Sequence, residues 1–476
     1  MVESIRQSRT DSVQPGNSTH EKREAVGMVT ANSAYSDGLF EELEEAVEAA
    51  KEAQVQLVSL TLKKRMEIID TIRKRVKENL EVLAALAVKE TGLGRYEDKV
   101  NKIRLAADKT PGVEALEPAV WSGDRGMTLV ERAPYGLIAS ITPVTNPVET
   151  VVNNGIGMIA GGNSVVFNAH PTAKDITNKT ISLLNSAIQE AGGPPNVLTS
   201  ILAPTVSTGQ ALMRHPRVSL VVVTGGMAVV REAMVSGKKV IAAGPGNPPV
   251  VVDETADLEQ AGAYIVQGAS FDNNIVCACE KEVFVVKQAA DSLKAYMKKY
   301  GALEVNKWAA KRLEHLLLAE NRGPWKAGTP NKAFVGKDAR VILKEVGMDI
   351  KEDVKLILME VEPEHPFVWS ELMMPVMPLV RVRDVDEAIQ LAVKAEHGFG
   401  HSGLMHSRNI QKLSEMGKRL NTAIYTKNGP SYAGLGFGGE GYATFTIATY
   451  TGEGLTNARH FTRERRCVLV DYFRIV

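Results

Sequence analysis

The residues best suited to chemistry are two cysteines, Cys277 and Cys279, in the segment 270–280 (SFDNNIVCACE). A stretch of small residues at 261–269 predicts a helix before this segment, and the apolar run 282–286 predicts a strand after it. The thiols are therefore expected in a short polar loop. A cysteine thiolate attacks a carbonyl carbon such as that of an aldehyde, and the resulting thiohemiacetal can lose hydride to become a thioester. On this segment alone, two packed structural thiols remain an open alternative.

A second candidate is the turn Thr224-Gly225-Gly226, which follows the β-branched run 221–223. A strand that ends in two glycines before a helix exposes free N–H groups and the positive helix end. Both lie at the strand's carboxyl edge, where ligands bind in open α/β sheets. The turn therefore predicts a phosphate site.

The pattern Gly155-x-Gly157-x-x-Ala160 matches the dinucleotide fingerprint by its letters alone. That fingerprint binds pyrophosphate only where it forms the turn between a strand and a helix. Here it lies well downstream of the strand predicted at 137–141, inside a segment with a helical pattern. We therefore expect these glycines to permit close helix packing rather than to bind a cofactor.

The elements that must position these residues follow from the spacing of apolar side chains. Over residues 62–83 they recur every three or four positions, which predicts one long helix whose end near Gly92 takes a left-handed cap. From residue 137 onward strands and helices alternate, a pattern typical of a doubly wound parallel sheet. The other predicted helices are 95–107, 174–191 and 227–236, and the predicted strands are 127–132, 137–141, 164–167, 218–223, 239–242, 282–286, 356–359, 376–380 and 468–476.

Length and charge exclude several classes of protein. The chain has 476 residues, enough for two or three domains, and its 56 basic residues balance its 56 acidic ones. This balance gives no basic face for nucleic acid or an anionic membrane, and no apolar run reaches membrane-spanning length. The polar amino end and the three cysteines predict a cytoplasmic, reducing location. Residues 1–29 are expected to form a mobile arm, with a docking peptide as the alternative.

Several segments occur in a fixed order along the chain, and together they are specific. They are TPVTNP at residues 142–147, GGPPNV at 192–197, VTGG at 223–226, FDNNIVC at 271–277 and WSELMMPV at 369–376. In this order they resemble the aldehyde dehydrogenase superfamily over nearly all of the chain past the amino arm. The chain is particularly similar to the coenzyme A-acylating branch, the propionaldehyde and acetaldehyde dehydrogenases of bacterial microcompartments. The resemblance implies an α/β fold with two doubly wound domains, one for the cofactor and one for catalysis, and a small β extension for oligomerisation.

The resemblance also implies roles for single residues. Cys277 is the expected nucleophile, and Asn146 with the backbone N–H of Cys277 forms the expected oxyanion hole. Glu371 is expected to hold the nicotinamide ribose, and Phe445 to line the substrate end beside the glycine-rich loop 434–441. The other expected cofactor-binding residues are Thr142, Pro143, His170, Pro171, Thr224, Gly225, Gly226 and Pro375.

Two departures from the superfamily pattern are informative. Hydrolytic members carry a water-activating glutamate where this chain has Ala242, and no carboxylate occurs between Lys239 and Val252. Without such a base, water has no positioned group to take its proton, whereas the coenzyme A thiol needs less help. The departure therefore predicts acyl transfer to coenzyme A. Asn168 replaces a lysine that binds the adenosine ribose in hydrolytic relatives, which leaves the choice between NAD and NADP open.

Other reactive residues are predicted to have structural roles. Glycines around His397, His401 and His406 argue against a metal-binding helix, so no metal site is expected, and a contact to coenzyme A stays an alternative. Cys279 is expected to be structural rather than a redox guard, and Cys467 to be inert in the last strand. The run RERR at 463–466 is expected on a solvated face or in an intersubunit ion pair.

We expect residues 30–118 and 137–248 to form the domain that binds NAD and coenzyme A, and 249–440 the catalytic domain. Residues 119–136 and 441–476 are expected to form the β extension of a homodimer or homotetramer, as the resemblance implies. The expected substrate is a small aldehyde, and the expected location is the cytoplasm or a microcompartment, with shell or lumen enzymes as partners. Two alternatives stay open: a hydrolytic aldehyde dehydrogenase with another base such as Glu371, and a non-catalytic structural protein of a microcompartment.

Overall fold

A computed structural model of the chain describes residues 38–476. The predicted arm at residues 1–29 lies outside the described residues. Short apolar runs form a first sheet of six parallel strands, four of which were expected from the sequence, namely those at residues 137–141, 164–168, 220–224 and 239–243. The strand order across this sheet is Leu39–Phe40, Leu198–Ile201, Ser164–Asn168, Leu137–Ile141, Leu220–Thr224 and Lys239–Ala243.

Helices cover both faces of the first sheet, so most of its strand residues are fully buried. The helix expected at 62–83 is two helices, Leu62–Glu78 and Leu80–Thr91, which meet at Asn79, and Leu62 and Met66 are exposed rather than buried. Gly92 takes the predicted left-handed cap, with φ of 65°. The other helices on this side are Leu43–Ser59, Tyr96–Lys109, Pro147–Ala160, Lys174–Glu190, Val206–Arg214 and Met227–Met234.

A second parallel sheet has seven strands and its own buried core. Their order is Ala302–Glu304, Leu356–Val361, Val376–Val382, Glu282–Val286, Pro249–Val252, Ser402–His406 and Ile424–Lys427. The helices around it are Leu258–Ser270, Lys287–Lys299, Lys307–Leu317, Ala339–Glu345, Val385–Ala395 and Ile410–Leu420. Short 3-10 helices occupy Val113–Leu116, Pro171–Ala173, Phe271–Asn274, Pro366–Trp369 and Ser431–Leu435. The predicted α/β class with two doubly wound sheets is confirmed.

A small antiparallel sheet completes the fold. It joins the hairpin of Ala119–Gly123 and Gly126–Pro134 to the late strand Thr462–Val470. The prediction of a strand at 468–476 was therefore wrong in its bounds, because pairing with Gly126–Pro134 begins at Thr462 and ends at Val470. Two shorter pairs join Leu318–Glu320 to Thr329–Pro330 and Ile447–Ala448 to Gly454–Leu455.

The order of strands in the first sheet defines where a ligand can enter. From Leu137–Ile141 the chain proceeds outward in one direction through Ser164–Asn168, and it resumes on the other side at Leu220–Thr224. Loops at such a reversal leave a crevice at the carboxyl ends of the two strands. Thr142 and the turn Thr224-Gly225-Gly226 flank this crevice. Among residues 38–476, no helix combines the length and apolar character needed to cross a bilayer.

Candidate active site

The loop that carries Cys277 begins with three successive residues in left-handed conformation: Asp272, Asn273 and Asn274, with φ of 48°, 53° and 67°. Asp and Asn adopt this conformation more readily than other non-glycine residues. The side-chain amide of Asn274 donates to the carbonyls of Ala269 at 2.8 Å and Glu280 at 2.9 Å, which joins the two ends of the loop. The sequence DNN therefore turns the chain from the helix Leu258–Ser270 toward the thiol.

A buried lysine, Lys281, also holds this loop in place through hydrogen bonds. Lys281 is 3% exposed, and its ammonium donates to Asn274 Oδ1 at 2.6 Å, to the Asn274 carbonyl at 2.9 Å and to the Val276 carbonyl at 3.4 Å. Sequence reasoning missed Lys281. Its signal was its place between Glu280 and Glu282, three charges at the start of a buried strand.

Cys277 is partly exposed, whereas Cys279 is buried against the carbonyl of Phe271. Burial raises the pKa of the Cys277 thiol to about 12; the Glu371 carboxylate adds to this effect and the Lys281 ammonium opposes it. The backbone N–H groups of Cys277 and Ala278 also act to lower this pKa. At neutral pH the free protein therefore carries a thiol at Cys277, surrounded by donors that favour negative charge.

Asn146 lies at the start of the helix Pro147–Ala160 and is 6% exposed. Its side chain does not cap that helix. Instead its Oδ1 accepts a hydrogen bond of 2.6 Å from Lys102 Nζ, and its Nδ2 donates to Thr145 Oγ1 at 3.2 Å. An amide nitrogen carries two hydrogens, so one donor of Asn146 remains available to a ligand.

The crevice of the first sheet presents unpaired donors, which is the chemistry that a dinucleotide requires. The Thr142 hydroxyl is buried and has no hydrogen-bond partner among the described residues. Gly226 begins the helix Met227–Met234 without a side-chain cap, and a Cβ placed there would meet nothing within 4 Å. Beside it, the Thr224 hydroxyl lies 2.8 Å from that of Thr446. Free helix-end N–H groups in open space fit a phosphate group.

Two further predicted positions lie at the next strand of this edge. His170 and Pro171 are exposed and start a 3-10 helix, where His170 Nδ1 accepts from the N–H of Thr172 at 3.2 Å. Asn168 is buried, and its Oδ1 accepts from the Thr208 hydroxyl at 2.8 Å. Pro143 directly follows Thr142 at the crevice. The structure thus gathers the predicted positions of the first sheet at one edge.

Glu371 belongs to a cluster beside Cys277. Burial raises the pKa of Glu371 to about 6, and both the Lys281 ammonium and the backbone N–H of Gly246 lower it. A Cβ at Gly246 would lie 3.1 Å from the Cys277 carbonyl oxygen and 2.8 Å from the His401 ring, so only glycine fits between them. Pro375 lies apart from this cluster, because its carbonyl accepts from the Ile357 N–H at 2.9 Å within the second sheet.

Phe445 is 7% exposed and belongs to the same apolar core against which Cys277 packs. Its backbone N–H donates to Asn153 Oδ1 at 3.1 Å, which ties the segment after the glycine-rich loop to the helix Pro147–Ala160. Part of that loop is the 3-10 helix Ser431–Leu435 rather than irregular chain. Ala242 is fully buried in the strand Lys239–Ala243, and its N–H donates to Thr451 Oγ1 at 2.9 Å.

The histidines do not converge on a common point. His397 Nε2 lies 2.9 Å from the Trp369 carbonyl, and the His401 Nδ1 lies 2.9 Å from Ser402 Oγ. Burial lowers the pKa of His401 to about 4, with Lys281 adding to the effect, and burial alone does the same for His406. Both rings are therefore neutral at pH 7. Within residues 38–476, no group of three or more His, Cys, Asp or Glu residues could hold a metal ion.

The rejected dinucleotide fingerprint lies inside the helix Pro147–Ala160, as expected. A Cβ at Gly157 would lie 3.1 Å from the Phe461 ring, and one at Gly155 would lie 3.3 Å from Leu184. These glycines permit close packing, so that prediction is confirmed. Cys467 is exposed in the strand Thr462–Val470, and Glu464 of the same strand pairs with Arg132 at 2.8 Å.

The comparisons with known proteins agree with this geometry. The family model described as "Aldehyde dehydrogenase family" matches residues 28–458. The acetylating acetaldehyde dehydrogenase EutE of Salmonella typhimurium is 49% identical over 449 residues, which cover 94% of this chain and 95% of the relative. A propionaldehyde dehydrogenase from the Clostridium phytofermentans fucose utilisation bacterial microcompartment has a TM-score of 0.90 at 45% identity, covering 92% of this chain and 100% of that chain.

A third similar protein is the Rhodopseudomonas palustris propionaldehyde dehydrogenase, solved with bound coenzyme A and an acylated cysteine. It has a TM-score of 0.89 at 48% identity, covering 92% of this chain and 99% of that chain. Motif order, two-sheet architecture and full-length similarity therefore agree. The chain belongs to the aldehyde dehydrogenase family.

Proposed function

We propose that the chain oxidises a small aliphatic aldehyde to its acyl-coenzyme A thioester with reduction of NAD, through a thioester on Cys277. The observation that carries this proposal is that a buried alanine, Ala242, stands at the place of the hydrolytic base, while the chain retains the partly exposed thiol of Cys277. Relatives along the full chain support it, because their names specify acetylating acetaldehyde dehydrogenase and propionaldehyde dehydrogenase. NADP as an alternative to NAD stays open.

Catalysis begins at the Cys277 sulfur. The thiol loses its proton to water as the sulfur bonds to the aldehyde carbon, and the carbonyl oxygen becomes an oxyanion. The free Nδ2 hydrogen of Asn146 and the backbone N–H of Cys277 donate to that oxyanion. Because burial disfavours the free thiolate, stabilising charge on the oxygen is the main way these donors lower the barrier.

The cofactor site is the crevice of the first sheet. The residues that would hold the dinucleotide phosphates are Thr142, Pro143, Thr224, Gly225 and Gly226, and His170 and Pro171 would extend the same edge toward its adenosine part. Glu371 would accept a hydrogen bond from the nicotinamide ribose, and Pro375 ends the segment that carries Glu371. The nicotinamide, when bound, supplies the hydride acceptor. Phe445 packs against the aldehyde's alkyl group, and its burial in an apolar core favours a short aliphatic chain.

Release of the acyl group requires a nucleophile. The coenzyme A thiol adds to the thioester carbon, a new C–S bond forms, and the Cys277 sulfur leaves and regains a proton. Water would need a positioned base for the same step. The strand Lys239–Ala243 offers none there, since Ala242 is apolar and fully buried.

The direct test is NADH absorbance with purified protein, propionaldehyde and NAD, with and without coenzyme A. Without coenzyme A we expect one burst of NADH per active site and then no turnover, whereas coenzyme A should sustain the reaction. The matched control is Cys277→Ala, which should give no burst. Equal steady rates in both conditions would contradict the proposal, because they would mean that water releases the acyl group, with Glu371 as the candidate base.

We also propose the domain division at residues 30–118 with 137–248 and at 249–440, and a homodimer or homotetramer built on the small antiparallel sheet. Large apolar side chains on that sheet are exposed: Val120 at 55%, Trp121 at 58%, Val468 at 55% and Val470 at 62%. The strand pairing puts Trp121, Val468 and Val470 on one face of the sheet and Val120 on the other, and exposed apolar surface of this kind favours burial against a second copy. Light scattering that gives a monomer mass at micromolar concentration would contradict this proposal.

The proposed location is the cytoplasm or the lumen of a bacterial microcompartment, with shell or lumen enzymes as partners. Support comes from the similar Clostridium phytofermentans enzyme, which belongs to such a compartment. Fluorescent fusions of the full chain and of a chain lacking residues 1–29 would test it in cells that assemble microcompartments. Diffuse fluorescence from the full chain would count against a microcompartment location.

A further inference from the structure

A buried lysine on the helix Tyr96–Lys109 contacts both Asn146 of the proposed oxyanion hole and the loop that carries Cys277. Lys102 is 1% exposed, and its ammonium lies 2.6 Å from Asn146 Oδ1, 2.5 Å from Asp272 Oδ2 and 3.2 Å from Glu149 Oε1. Asn146 and Glu149 belong to the start of the helix Pro147–Ala160, whereas Asp272 belongs to the loop that carries Cys277. One ammonium therefore joins two separate elements of the site, through a hydrogen bond to Asn146 and ion pairs with Asp272 and Glu149.

The contact to Asn146 fixes which way the amide points. An ammonium only donates, so it binds the amide oxygen and not the nitrogen. Nδ2 is thereby turned away from Lys102, toward Thr145 Oγ1 at 3.2 Å, with its second hydrogen free. A charged donor on the amide oxygen also polarises the group and strengthens its N–H donors.

The charge of Lys102 is constant over the range in which an enzyme works. Burial acts against the charge, but the Asp272 and Glu149 carboxylates outweigh it and raise the pKa of Lys102 above its ordinary value. Burial likewise opposes ionisation of Asp272, and Lys102 with Lys99 outweighs it and lowers the pKa of that carboxyl. The pair is thus ionised at neutral pH.

Asp272 transmits the position of Lys102 to the nucleophile loop. Its other oxygen accepts from the Arg95 N–H at 2.7 Å, and its own N–H donates to Asp98 Oδ2 at 2.9 Å. Both partners belong to the start of the helix that carries Lys102. The left-handed turn at Asp272 is therefore held on this helix at both its backbone and its side chain.

We propose that Lys102 is a positioning residue for the oxyanion, which orients the Asn146 amide toward the reacting carbonyl and ties it to the Cys277 loop through Asp272. This inference rests on the proposed role of Asn146. Lys99 provides a matched control. It is equally buried at 1% and lies 3.3 Å from the same Asp272 oxygen, but within the described part of the chain it makes no hydrogen bond to Asn146.

The experiment measures the NADH burst in single turnovers without coenzyme A, which reports formation of the thioester on Cys277. Removing a lysine alone leaves a buried carboxylate unpaired and endangers folding. We therefore compare two charge-balanced variants, Lys102→Met/Asp272→Asn and Lys99→Met/Asp272→Asn, after circular dichroism has verified their folding. The burst rate of the first variant is expected to be lower than that of the second by roughly 10- to 100-fold, which is part of the effect of losing one oxyanion donor. The affinity for NADH should be the same in both variants.

A second readout separates positioning from a merely structural role. In an Asn146→Ala background, the two double variants are expected to give burst rates that agree within about threefold, because residues that act through one group are not additive. Equal bursts in the original background, or an undiminished difference in the Asn146→Ala background, would overturn the proposal. The NADH burst is produced before coenzyme A reacts with the thioester. A wild-type enzyme that turned over without coenzyme A would therefore contradict the proposed acyl transfer, but the comparison of burst rates between the variants would still test the role of Lys102.

Discussion

The carboxyl edges of the two parallel sheets are built alike, but the polar groups at one edge bond to one another whereas those at the other edge lack protein partners. On the second sheet, Asp253, Ser407 and Asn428 directly follow three neighbouring strands and bond to one another: the Ser407 hydroxyl donates to Asp253, and Ser407 and Asn428 exchange two bonds of 2.9 Å. On the first sheet, Thr142 has an unpaired buried hydroxyl and Gly226 faces open space. We call these the second-sheet edge and the first-sheet edge.

This difference teaches how one fold separates stability from binding. A buried polar group without a protein partner costs free energy, and a ligand that supplies the missing hydrogen bond recovers that cost. At the second-sheet edge, Asp253, Ser407 and Asn428 satisfy one another and should matter for folding. The first-sheet edge is left incomplete and should matter for function, together with the Cys277 loop that packs against the first-sheet core.

The largest expected effect is on the functional side. Cys277→Ser should lower the rate of NADH formation by at least about 10³-fold, because the hydroxyl is a far weaker nucleophile without an adjacent base. The melting temperature should change little. Cys467→Ser, on the exposed strand Thr462–Val470, serves as the control and should keep full activity. A Cys277→Ser enzyme within tenfold of wild type would remove Cys277 from the mechanism.

The second prediction concerns the second-sheet edge. Asp253 is 1% exposed and accepts from the Thr255 N–H at 2.9 Å and from two hydroxyls, so Asp253→Ala should lower the free energy of unfolding by about 2–3 kcal/mol. Urea unfolding measures this loss, and kcat/KM should stay within about twofold of wild type. Asp253→Asn retains an acceptor and should lose less. If Asp253→Ala reduced kcat/KM and left stability unchanged, the second-sheet edge would serve function rather than folding, contrary to our comparison.

Gly226→Ala probes the first-sheet edge with a smaller change. Its Cβ would meet nothing within 4 Å, so stability should be preserved, while the methyl group would stand where the dinucleotide phosphate approaches. We expect the KM for NAD to rise roughly tenfold, about 1.4 kcal/mol of binding. Gly123→Ala, equally unobstructed but on the small antiparallel sheet, is the control. An unchanged KM in Gly226→Ala would place the phosphates elsewhere.

The smallest effect concerns the charge beside the thiol. Burial raises the pKa of Cys277 most, and the Glu371 carboxylate raises it further. Removing the charge of Glu371 should therefore increase the fraction of Cys277 present as thiolate. Alkylation of Cys277 by iodoacetamide at pH 8 should be about threefold faster in Glu371→Gln, equivalent to roughly half a pKa unit. Burial raises the pKa of Glu371 to about 6, so the difference should vanish at pH 5, where Glu371 is protonated in wild type.

Glu254→Gln, exposed at the second-sheet edge, should leave the alkylation rate unchanged. A slower reaction in Glu371→Gln at pH 8 would show that Glu371 supports the thiolate instead of opposing it. That outcome would favour Glu371 as a base.

The sequence allowed much of this fold to be predicted because its strands are short apolar runs that alternate with helical patterns. The strands Leu137–Ile141 and Glu282–Val286 lie where the sequence placed them. The break at Asn79 was not predictable, since the apolar spacing continues through it and tertiary packing decides where the helix turns. The last strand was misplaced because its first five residues, TRERR, are polar or charged whereas apolar residues recur up to 476, and only pairing with Gly126–Pro134 sets its bounds.

The candidate site shows the same limit. Cys277 and the turn Thr224-Gly225-Gly226 were visible as local motifs. Lys102 was not visible in this way, because its partners Asn146 and Asp272 lie 44 and 170 residues further along the chain (146 minus 102 and 272 minus 102). In addition, a lysine in a helix ordinarily faces solvent. The local trace was that Lys99 and Lys102 lie three residues apart on the helix face that carries Ile103 and Ala106 and becomes buried.

The small antiparallel sheet also constrains how the chain is made. Its central strand, Gly126–Pro134, pairs with a strand that is synthesised far later, with Arg132 and Glu464 separated by 332 residues. At translation rates of about 5–20 residues per second, the edge of the hairpin waits roughly 20–60 s on the ribosome for its partner. During that interval its unpaired backbone is a template for pairing between nascent chains. A ribosome that stalls before residue 462 would therefore release a chain with an open edge, a natural substrate for chaperones.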